Sequence, residues 1–348
     1  MDTNPPSGRT GLVVGKFAPL HRGHQLLIET AARQVDELHV WVYSEPDPIR
    51  MPAPVRAGWL RQIYGTDLGG CRLQVRALTQ AEHPQLPPNA APDLVHREFV
   101  RQLLLELGLC IDVIFSSEAY GAGFAAHLGT EHVLVDQPRQ QRPVSGTQLR
   151  ADVYGQSEWL HPVVQAYFRS ADYLQRVALL GAESTGKSTL TAALGRHFGT
   201  AWVAEYGRTL WEAQGGHLAF DDLLRIAERH RALEDEALPQ ARHWLLSDTN
   251  AVTTLWYSYA YFGRATEALH ALAAECRSRY AHTFVCAPDF PFEQDGTRAP
   301  AAQQLLQQHT QLMLLDVLGI PYQLLTGSVA DRVAQVAAAL REPLQVQL

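Results

Sequence analysis

Residues 181–188 read GAESTGKS and match the pattern G-x-x-x-x-G-K-[ST] at every fixed position. The glycines of this P-loop let backbone N–H groups converge on phosphate oxygens, and a helix that follows directs its positive end there. We expect Lys187 to reach the β- and γ-phosphates of a nucleoside triphosphate and the Ser188 hydroxyl to be a Mg²⁺ ligand. The predicted nucleotide contacts of this loop are Gly181, Glu183, Ser184, Thr185, Gly186, Lys187, Ser188 and Thr189.

Two carboxylates follow apolar runs near the P-loop in the sequence. Asp248 ends the run WLLSD at residues 244–248, which resembles a Walker B element that holds the metal or its water. A kinase that phosphorylates a hydroxyl also needs a proton acceptor, because the alcohol becomes nucleophilic as it loses its proton. Glu205, which follows AWVA at residues 201–204, competes with Asp248 for that role, and the sequence leaves the choice open.

A polar loop, PFEQDGTR at residues 291–298, contains a cation at its end. We expect Arg298 to close over the transferred phosphoryl group and offset its charge. A solvated loop arginine is the plain alternative.

A second phosphate-binding pattern lies at residues 15–24, GKFAPLHRGH, here called the histidine loop. His21 and His24 are three residues apart at a predicted helix start, so they share one face and can donate hydrogen bonds to phosphate. The helix end favours the phosphate charge, and Gly23 lets a ligand approach the backbone. The predicted nucleotide contacts here are Gly15, Lys16, Phe17 and Gly23, with His21 and His24 as catalytic residues.

Residues 145–150, SGTQLR, form an S-x-T-x-x-R pattern at another predicted helix start. Ser145, Thr147 and Arg150 offer two hydroxyls and a guanidinium to a nucleotide. A plain N-cap with a surface arginine would look the same. The combination with H-x-G-H favours nucleotide binding.

Both loops follow an apolar strand, at residues 12–15 and 177–180, and precede a helix of apolar periodicity. This arrangement predicts an α/β protein with two doubly wound parallel-sheet domains, residues 1–172 and 173–348. A helix is expected at residues 92–107. Further strands are expected at residues 38–43, 73–77, 113–116, 133–136, 201–204, 244–247, 283–286 and 322–325.

The composition limits the function classes. At about 150 residues per domain, 348 residues give roughly two domains. The chain has 36 acidic and 29 basic residues, a net charge of −7, which argues against general nucleic-acid or membrane binding. The 4 cysteines lack zinc or disulfide spacing. The polar first residues do not form a signal peptide, and no apolar run is long enough to span a bilayer, so we expect a cytoplasmic protein.

The H-x-G-H and S-x-T-x-x-R pair resembles the nucleotidylyltransferase superfamily. Its combination with a later P-loop resembles the NadR-type bifunctional nicotinamide mononucleotide adenylyltransferase and ribosylnicotinamide kinase. The resemblance covers roughly residues 11–330. Further blocks that match in order are residues 117–121 (SEAYG), Asp136 with Arg139, residues 205–208 (EYGR) and residues 295–298 (DGTR).

The resemblance implies a Rossmann-like nucleotidylyltransferase domain followed by a P-loop kinase domain. The kinase would phosphorylate nicotinamide riboside with ATP and Mg²⁺, and the first domain would join the mononucleotide to ATP, giving NAD and pyrophosphate. It also implies that Arg139 binds nucleotide and that a set of aromatic and basic residues binds substrate. These residues are Tyr120, Trp202, Tyr206, Arg208 and Tyr261.

The sequence departs from the family pattern at several positions. Ala204 and Thr209 stand where relatives carry an aromatic and an acid, and Trp202 is a candidate substitute for the aromatic. Asn250 replaces an acid, which puts one metal or water contact in doubt, and Phe292 stands where relatives often carry tryptophan.

Longer family members begin with a DNA-binding helix-turn-helix. Because the first strand here is expected at about residue 12, we expect no operator binding. The sequence leaves the oligomeric state open, including a homo-oligomer.

Two other functions remain compatible with the sequence. One is a regulator that senses NAD and ATP with one or both sites inactive. The other is a nucleotidylyltransferase–kinase fusion that acts on a different acceptor, because H-x-G-H is shared across the superfamily. The EYGR and DGTR blocks argue against the second.

Overall fold

The computed structural model describes residues 8–48, 50–137, 139–289 and 301–341. The chain divides into two compact units between Ala166 and Tyr167. The boundary predicted from the sequence, between residues 172 and 173, lies slightly further along the chain and stays a prediction.

The first unit is built on a six-stranded sheet of order β3-β4-β2-β1-β5-β6. All pairs are parallel except β3 with β4. The strands are β1 Thr10–Gly15, β2 Glu37–Val42, β3 Asp67–Leu68, β4 Cys71–Ala77, β5 Val113–Ser116 and β6 Glu131–Leu134. The helices are α1 Arg22–Ala32, α2 Ala53–Tyr64, α3 Asp93–Glu106, α4 Tyr120–Leu128, α5 Gly146–Ala151 and α6 Pro162–Tyr167.

The second unit is built on a five-stranded parallel sheet of order β11-β10-β7-β9-β8. The strands are β7 Gln175–Leu180, β8 Trp202–Val203, β9 Trp244–Asp248, β10 Tyr280–Cys286 and β11 Gln323–Leu325. The helices are α7 Lys187–Phe198, α8 Tyr206–Ala213, α9 Phe220–Ala237, α10 Ala251–Phe262, α11 Glu267–Arg279, α12 Ala301–Val317 and α13 Val329–Arg341.

Successive apolar residues along an interior strand of the second sheet enter different cores, because side chains alternate along a strand. Val177 and Leu179 pack in the cluster that contains α7 and α13 residues. Ala178 and Leu180 pack in the cluster that contains α10 and α11 residues. Burial on both faces explains why the strand reads as a continuous apolar run. The predicted α/β class with two parallel sheets is therefore confirmed.

Most predicted elements are confirmed, one strand is displaced, and one short strand pair was not predicted. The helix expected at residues 92–107 is α3, and the strand expected at residues 133–136 begins and ends two residues earlier, as β6. The short antiparallel pair β3–β4 was not predicted as a hairpin, since two residues are too few to show an alternating pattern.

Candidate functional site

The histidine loop follows β1, which pairs with β2 on one side and β5 on the other. Ligands of open parallel sheets bind at such a switch in strand order, at the carboxyl ends of the strands. Phe17 is 1% exposed with a φ of 50°. Its ring lies 3.1 Å from the position of an ideal Cβ on Gly15, so a larger residue there would have to push the ring aside.

His21 is the N-cap residue of α1. Its Nδ1 accepts hydrogen bonds from the backbone N–H groups of Gly23, at 3.1 Å, and His24, at 3.4 Å. A ring nitrogen that accepts is unprotonated, so the single proton of a neutral His21 lies on Nε2. The cap therefore fixes the tautomer and leaves Nε2–H as a donor.

Both histidines are uncharged near neutral pH. Burial, followed by the guanidinium groups of Arg139 and Arg150, lowers the pKa of His21 to about 4. Burial, followed by His21, holds the pKa of His24 well below its usual range. The His24 Nδ1 is buried and has no hydrogen-bond partner among the described residues. The pair can donate hydrogen bonds, and the site's positive charge comes from other residues.

The S-x-T-x-x-R segment lies against the histidine loop. Ser145 caps α5, its Oγ accepting from the Gln148 N–H at 3.2 Å. Arg150 donates to the Ala18 carbonyl at 2.6 Å and to the Thr147 hydroxyl at 3.0 Å. The two patterns, distant in sequence, are thus in direct contact.

Tyr120 and Arg139 lie near the same edge of the sheet. The Tyr120 hydroxyl donates to the Val14 carbonyl of β1 at 3.2 Å. Arg139 pairs with Glu118 at 3.3 Å, and both side chains are substantially exposed. Asp136 shapes this loop by accepting backbone N–H groups, including that of Gln140 at 2.9 Å.

One residue that supports the histidine loop was missed in the sequence. Arg56 of α2 is fully buried and donates to the Lys16 carbonyl, to Asp47 and to the Ser44 hydroxyl. Lys16 thereby has its backbone fixed while its side chain stays exposed. The only sequence signal for Arg56 is that apolar residues surround it. This signal does not show which carbonyl group the Arg56 side chain binds.

The P-loop connects β7 to α7 and has the backbone that its glycines allow. Gly181 has a φ of 137° and Gly186 a φ of 81°. A Cβ on Gly181 would lie 2.7 Å from the Cys286 carbonyl oxygen. Lys187 Nζ donates to the Ala182 carbonyl at 2.8 Å, so the ammonium lies over the loop. Ser188 and Thr189 are exposed in the first turn of α7.

Asp248 is the last residue of β9, and Glu205 follows the neighbouring strand β8. Asp248 is 2% exposed, and its Oδ1 has no hydrogen-bond partner among the described residues. Burial raises the pKa of Glu205, while the nearby Lys187 lowers it and Asp248 raises it. An unpartnered buried carboxylate oxygen fits a Mg²⁺ ion or its water, which Ser188 would share.

Asn250, where relatives have an acid, is the N-cap of α10. Its Oδ1 accepts from the Val252 N–H at 2.9 Å, as an aspartate would. Its Nδ2 is buried without a partner among the described residues. The departure therefore keeps the helix cap and exchanges an acceptor for a donor.

Tyr261 is 56% exposed and lies beside Tyr257, with ring centroids 5.4 Å apart. The Tyr257 hydroxyl donates to Glu183 of the P-loop at 2.9 Å. An exposed aromatic ring therefore lies next to the phosphate loop, as the predicted substrate role of Tyr261 requires.

Trp202 is another aromatic side chain that is predicted to bind substrate, and that role stays a prediction. An ideal Cβ on Gly195 of α7 would be 2.3 Å from its ring, so Trp202 packs on α7. No contact in the described residues joins it to Tyr261. Tyr206 and Arg208 lie in the first turn of α8, directly after Glu205. Arg298 and Phe292 lie outside the described residues.

A buried polar network underlies Asp248 and was also missed. Glu234 of α9 is completely buried and accepts from the Ser247 hydroxyl at 2.5 Å and from Arg279 Nε at 2.8 Å. His230 Nε2 lies 2.9 Å from the same hydroxyl. These contacts fix the carboxyl end of strand β9.

Two features are absent from the described residues. Within residues 8–289 and 301–341, apart from positions 49 and 138, no group of three or more His, Cys, Asp or Glu side chains could hold a metal ion. No helix in this part of the chain is both long and apolar enough to cross a membrane.

Comparison with known proteins places both units. A cytidylyltransferase-like family model matches residues 12–61, and an AAA domain model matches residues 176–332. The fold and the two loops define a nucleotidylyltransferase-like unit followed by a P-loop unit.

Two curated relatives match both units. The trifunctional NAD biosynthesis/regulator protein NadR of Escherichia coli (strain K12) is 31% identical over 305 residues, 83% of this chain and 71% of the relative. The protein of the same name from Salmonella typhimurium is 31% identical over 302 residues, 83% of this chain and 71% of the relative. The chain belongs to the NadR family.

A solved structure shares the fold. The crystal structure of a NadR protein in complex with NAD and AMP-PNP is 21% identical, covers 98% of each chain and has a TM-score of 0.50.

Proposed function

We propose that the two units catalyse consecutive steps of NAD synthesis. The second unit phosphorylates nicotinamide riboside with ATP, and the first joins the resulting mononucleotide to ATP. The observation that carries this proposal is a phosphate-binding loop after an interior strand of each parallel sheet, in a chain of the NadR family. A solved structure of a NadR protein supports the proposal, because that structure contains NAD and the ATP analogue AMP-PNP.

In the first unit, a phosphate oxygen of nicotinamide mononucleotide attacks the α-phosphorus of ATP. The new phosphorus–oxygen bond forms as the bond to pyrophosphate breaks, giving NAD and pyrophosphate. The nucleophile is already an anion, so no general base is required. We assign His21 and His24 as neutral hydrogen-bond donors and Lys16, Arg139 and Arg150 as the charges that offset the phosphates.

In the second unit, the 5′-hydroxyl of the riboside attacks the γ-phosphorus of ATP, and ADP leaves. Lys187 offsets the phosphate charge. Glu205 is the better proton acceptor of the two candidates, because burial raises its pKa and a base works best when its pKa approaches the working pH. Asp248 is then assigned as a ligand of Mg²⁺ or of its bound water. Tyr261 is assigned to the nicotinamide ring.

Mg²⁺ fits beside Ser188 and Asp248, because this ion usually takes one or two protein oxygens together with substrate phosphates. It would supply charge that offsets the triphosphate. The assignment of these two residues as Mg²⁺ ligands is a proposal, and so are the phosphate contacts assigned to Arg298.

The test is an assay of products from nicotinamide riboside and ATP with the full chain. We expect nicotinamide mononucleotide and ADP first, then NAD and pyrophosphate. Supplying the mononucleotide directly should give NAD and pyrophosphate without ADP. Absence of ADP from riboside would contradict the kinase assignment, and absence of pyrophosphate from mononucleotide would contradict the transferase assignment.

A further inference from the structure

Four glutamines occupy the buried face of α12. Their spacing is i, i+3, i+4 and i+7, which places them on one side of a helix. Each is at most 9% exposed, whereas Gln303 on the same helix is exposed. Burying a glutamine costs rotamer entropy, and a buried amide needs hydrogen-bond partners. The four residues, here called the glutamine face, are Gln304, Gln307, Gln308 and Gln311.

Gln308 joins the P-loop to the end of a neighbouring strand. Its Oε1 accepts from the Ala182 N–H at 2.9 Å, and its Nε2 donates to the Cys286 carbonyl at 3.2 Å. Cys286 is the last residue of β10, which pairs with β7 directly before the loop. The side-chain amide of Gln308 thus accepts one hydrogen bond and donates another, and so fixes the start of the P-loop relative to the sheet.

Two further glutamines hold the next residue of the loop. Gln307 Oε1 accepts from the Glu183 N–H at 2.9 Å, and Gln304 Nε2 donates to the Glu183 carbonyl at 2.7 Å. The peptide groups on both sides of Glu183 are therefore fixed by α12. Gln311 differs, because neither atom of its amide has a partner among the described residues.

The hydrogen bonds divide the loop into two parts. The N–H groups of Ala182 and Glu183 are occupied by the glutamine face. Within the described residues, no protein acceptor is found for the N–H groups of Ser184, Gly186, Lys187 and Ser188. These free groups are the ones that the loop can offer to phosphate oxygens. Donors held in place before the ligand arrives are worth more than donors that must first be ordered.

We propose that three members of the glutamine face, Gln304, Gln307 and Gln308, position the P-loop for ATP, with Gln308 as the main positioning residue. They occupy the N–H groups at the start of the loop and so fix the orientation of those that face phosphate. The inference rests on the proposed kinase function of the second unit. It adds these three residues, which do not touch the ligand themselves, to the machinery that binds ATP.

The chain offers two matched controls for a substitution at Gln308. Gln308→Met keeps the size of the side chain and removes both hydrogen bonds. Gln311→Met makes the same change on the same buried face, where no loop contact is lost. Gln303→Met makes it on the exposed side of the helix. Gln307→Met is a second test variant if Gln308→Met does not fold.

The measurement is steady-state phosphorylation of nicotinamide riboside by each full-length variant. We expect Gln308→Met, which removes both hydrogen bonds, to raise the KM for ATP about tenfold, a change that corresponds to about 1.4 kcal/mol. The KM for riboside should stay within about twofold, and the two controls should match the wild type. Adenylyl transfer by the same preparation reports on the first unit and should not change.

Several outcomes would overturn the proposal. An equal rise in KM for ATP in Gln311→Met would mean that any change on the buried face has this effect. A parallel rise in both KM values would indicate general loosening of the unit. If the wild type makes no mononucleotide, the proposed function fails; the loop proposal is then judged by the ATP-dependent rise in melting temperature of the second unit. That rise must shrink in Gln308→Met and not in Gln311→Met.

Discussion

The imidazole rings of His21 and His24 lie stacked, with centroids 3.7 Å apart and planes inclined by 22°. Two charged rings would repel at this distance, and burial lowers the pKa of both. The His21 Nδ1 is occupied by backbone N–H groups, including that of Gly23. The stack is therefore an uncharged arrangement in which His21 offers Nε2–H to a phosphate.

This arrangement predicts that acid destabilises the first unit. The pKa of His21 is about 4 in the folded state and about 6.5 when unfolded, so the unfolded state binds more protons between these values. The contribution of neutral His21 to the free energy of unfolding is fully present above pH 6.5 and is lost as the pH falls toward 4. At pH 5 the loss is about 2 kcal/mol. Calorimetric unfolding at pH 7.5 and pH 5 measures this loss.

His21→Asn is the matched variant, because asparagine caps a helix and does not titrate. The variant should lose less stability than the wild type between the two pH values. Equal losses would mean that His21 is not the titrating group. Its adenylyl transfer should also fall, since it lacks the Nε2–H donor.

The two sites should fail independently. Lys187→Ala removes the ammonium that lies over the P-loop. The rate of riboside phosphorylation should fall, with a loss of about 3 kcal/mol of transition-state stabilisation. The rate of adenylyl transfer should stay unchanged. His24→Ala should have the reverse effect. Product analysis with riboside or mononucleotide as substrate separates the two losses. Loss of both reactions in either variant would contradict separate sites.

The sequence was sufficient to predict both loops and the strands that carry them. Glycine, histidine and lysine at fixed spacing reflect local geometry, and buried parallel strands give continuous apolar runs. The pairing of the two patterns predicted a shared nucleotide site, but the contact of Arg150 with the Ala18 carbonyl was not predicted, since nothing local relates residues so distant in sequence.

The supporting residues were not predictable in the same way. Arg56 and the glutamine face act on backbone carbonyl and N–H groups that the fold brings to them, and any residue offers such groups. The glutamine spacing was visible, but a polar face with helical period usually faces water. The packing of the Trp202 ring on Gly195 is visible only in the tertiary structure, and its role toward the substrate stays a prediction.

The pH dependence of the kinase distinguishes Glu205 from Asp248. Because burial raises the pKa of Glu205, a base at this position is protonated, and kcat falls, at a pH above the ordinary glutamate range. Glu205→Gln should lower kcat by about 10²- to 10⁴-fold and remove this acidic limb. Initial rates from pH 4.5 to pH 8 at saturating ATP provide the profile.

Asp248→Asn is the comparison. It should keep the acidic limb and raise the Mg²⁺ concentration needed for half-maximal rate. If the limb disappears in Asp248→Asn and remains in Glu205→Gln, the two roles are exchanged.

Arg332 of α13 ties the far side of the P-loop to the sheet. It is completely buried and donates to the Thr185 carbonyl at 2.7 Å and to the Ala287 carbonyl at 2.9 Å, and it pairs with Asp289. Arg332→Met removes the guanidinium donor from each of these acceptors, which should destabilise the second unit by about 3 kcal/mol or more. Calorimetry of the full chain should show that transition shifted and the transition of the first unit unchanged.

The control for Arg332→Met is Arg225→Met, because the Arg225 side chain is 62% exposed and its ion pair with Asp222, at 3.9 Å, is long. We expect that control to change stability by less than about 0.5 kcal/mol, as exposed pairs do. Arg332→Lys should recover only part of the loss, since one ammonium cannot reach acceptors on opposite sides of the guanidinium. Full recovery by lysine would show that charge alone is needed there, and not the geometry of the guanidinium.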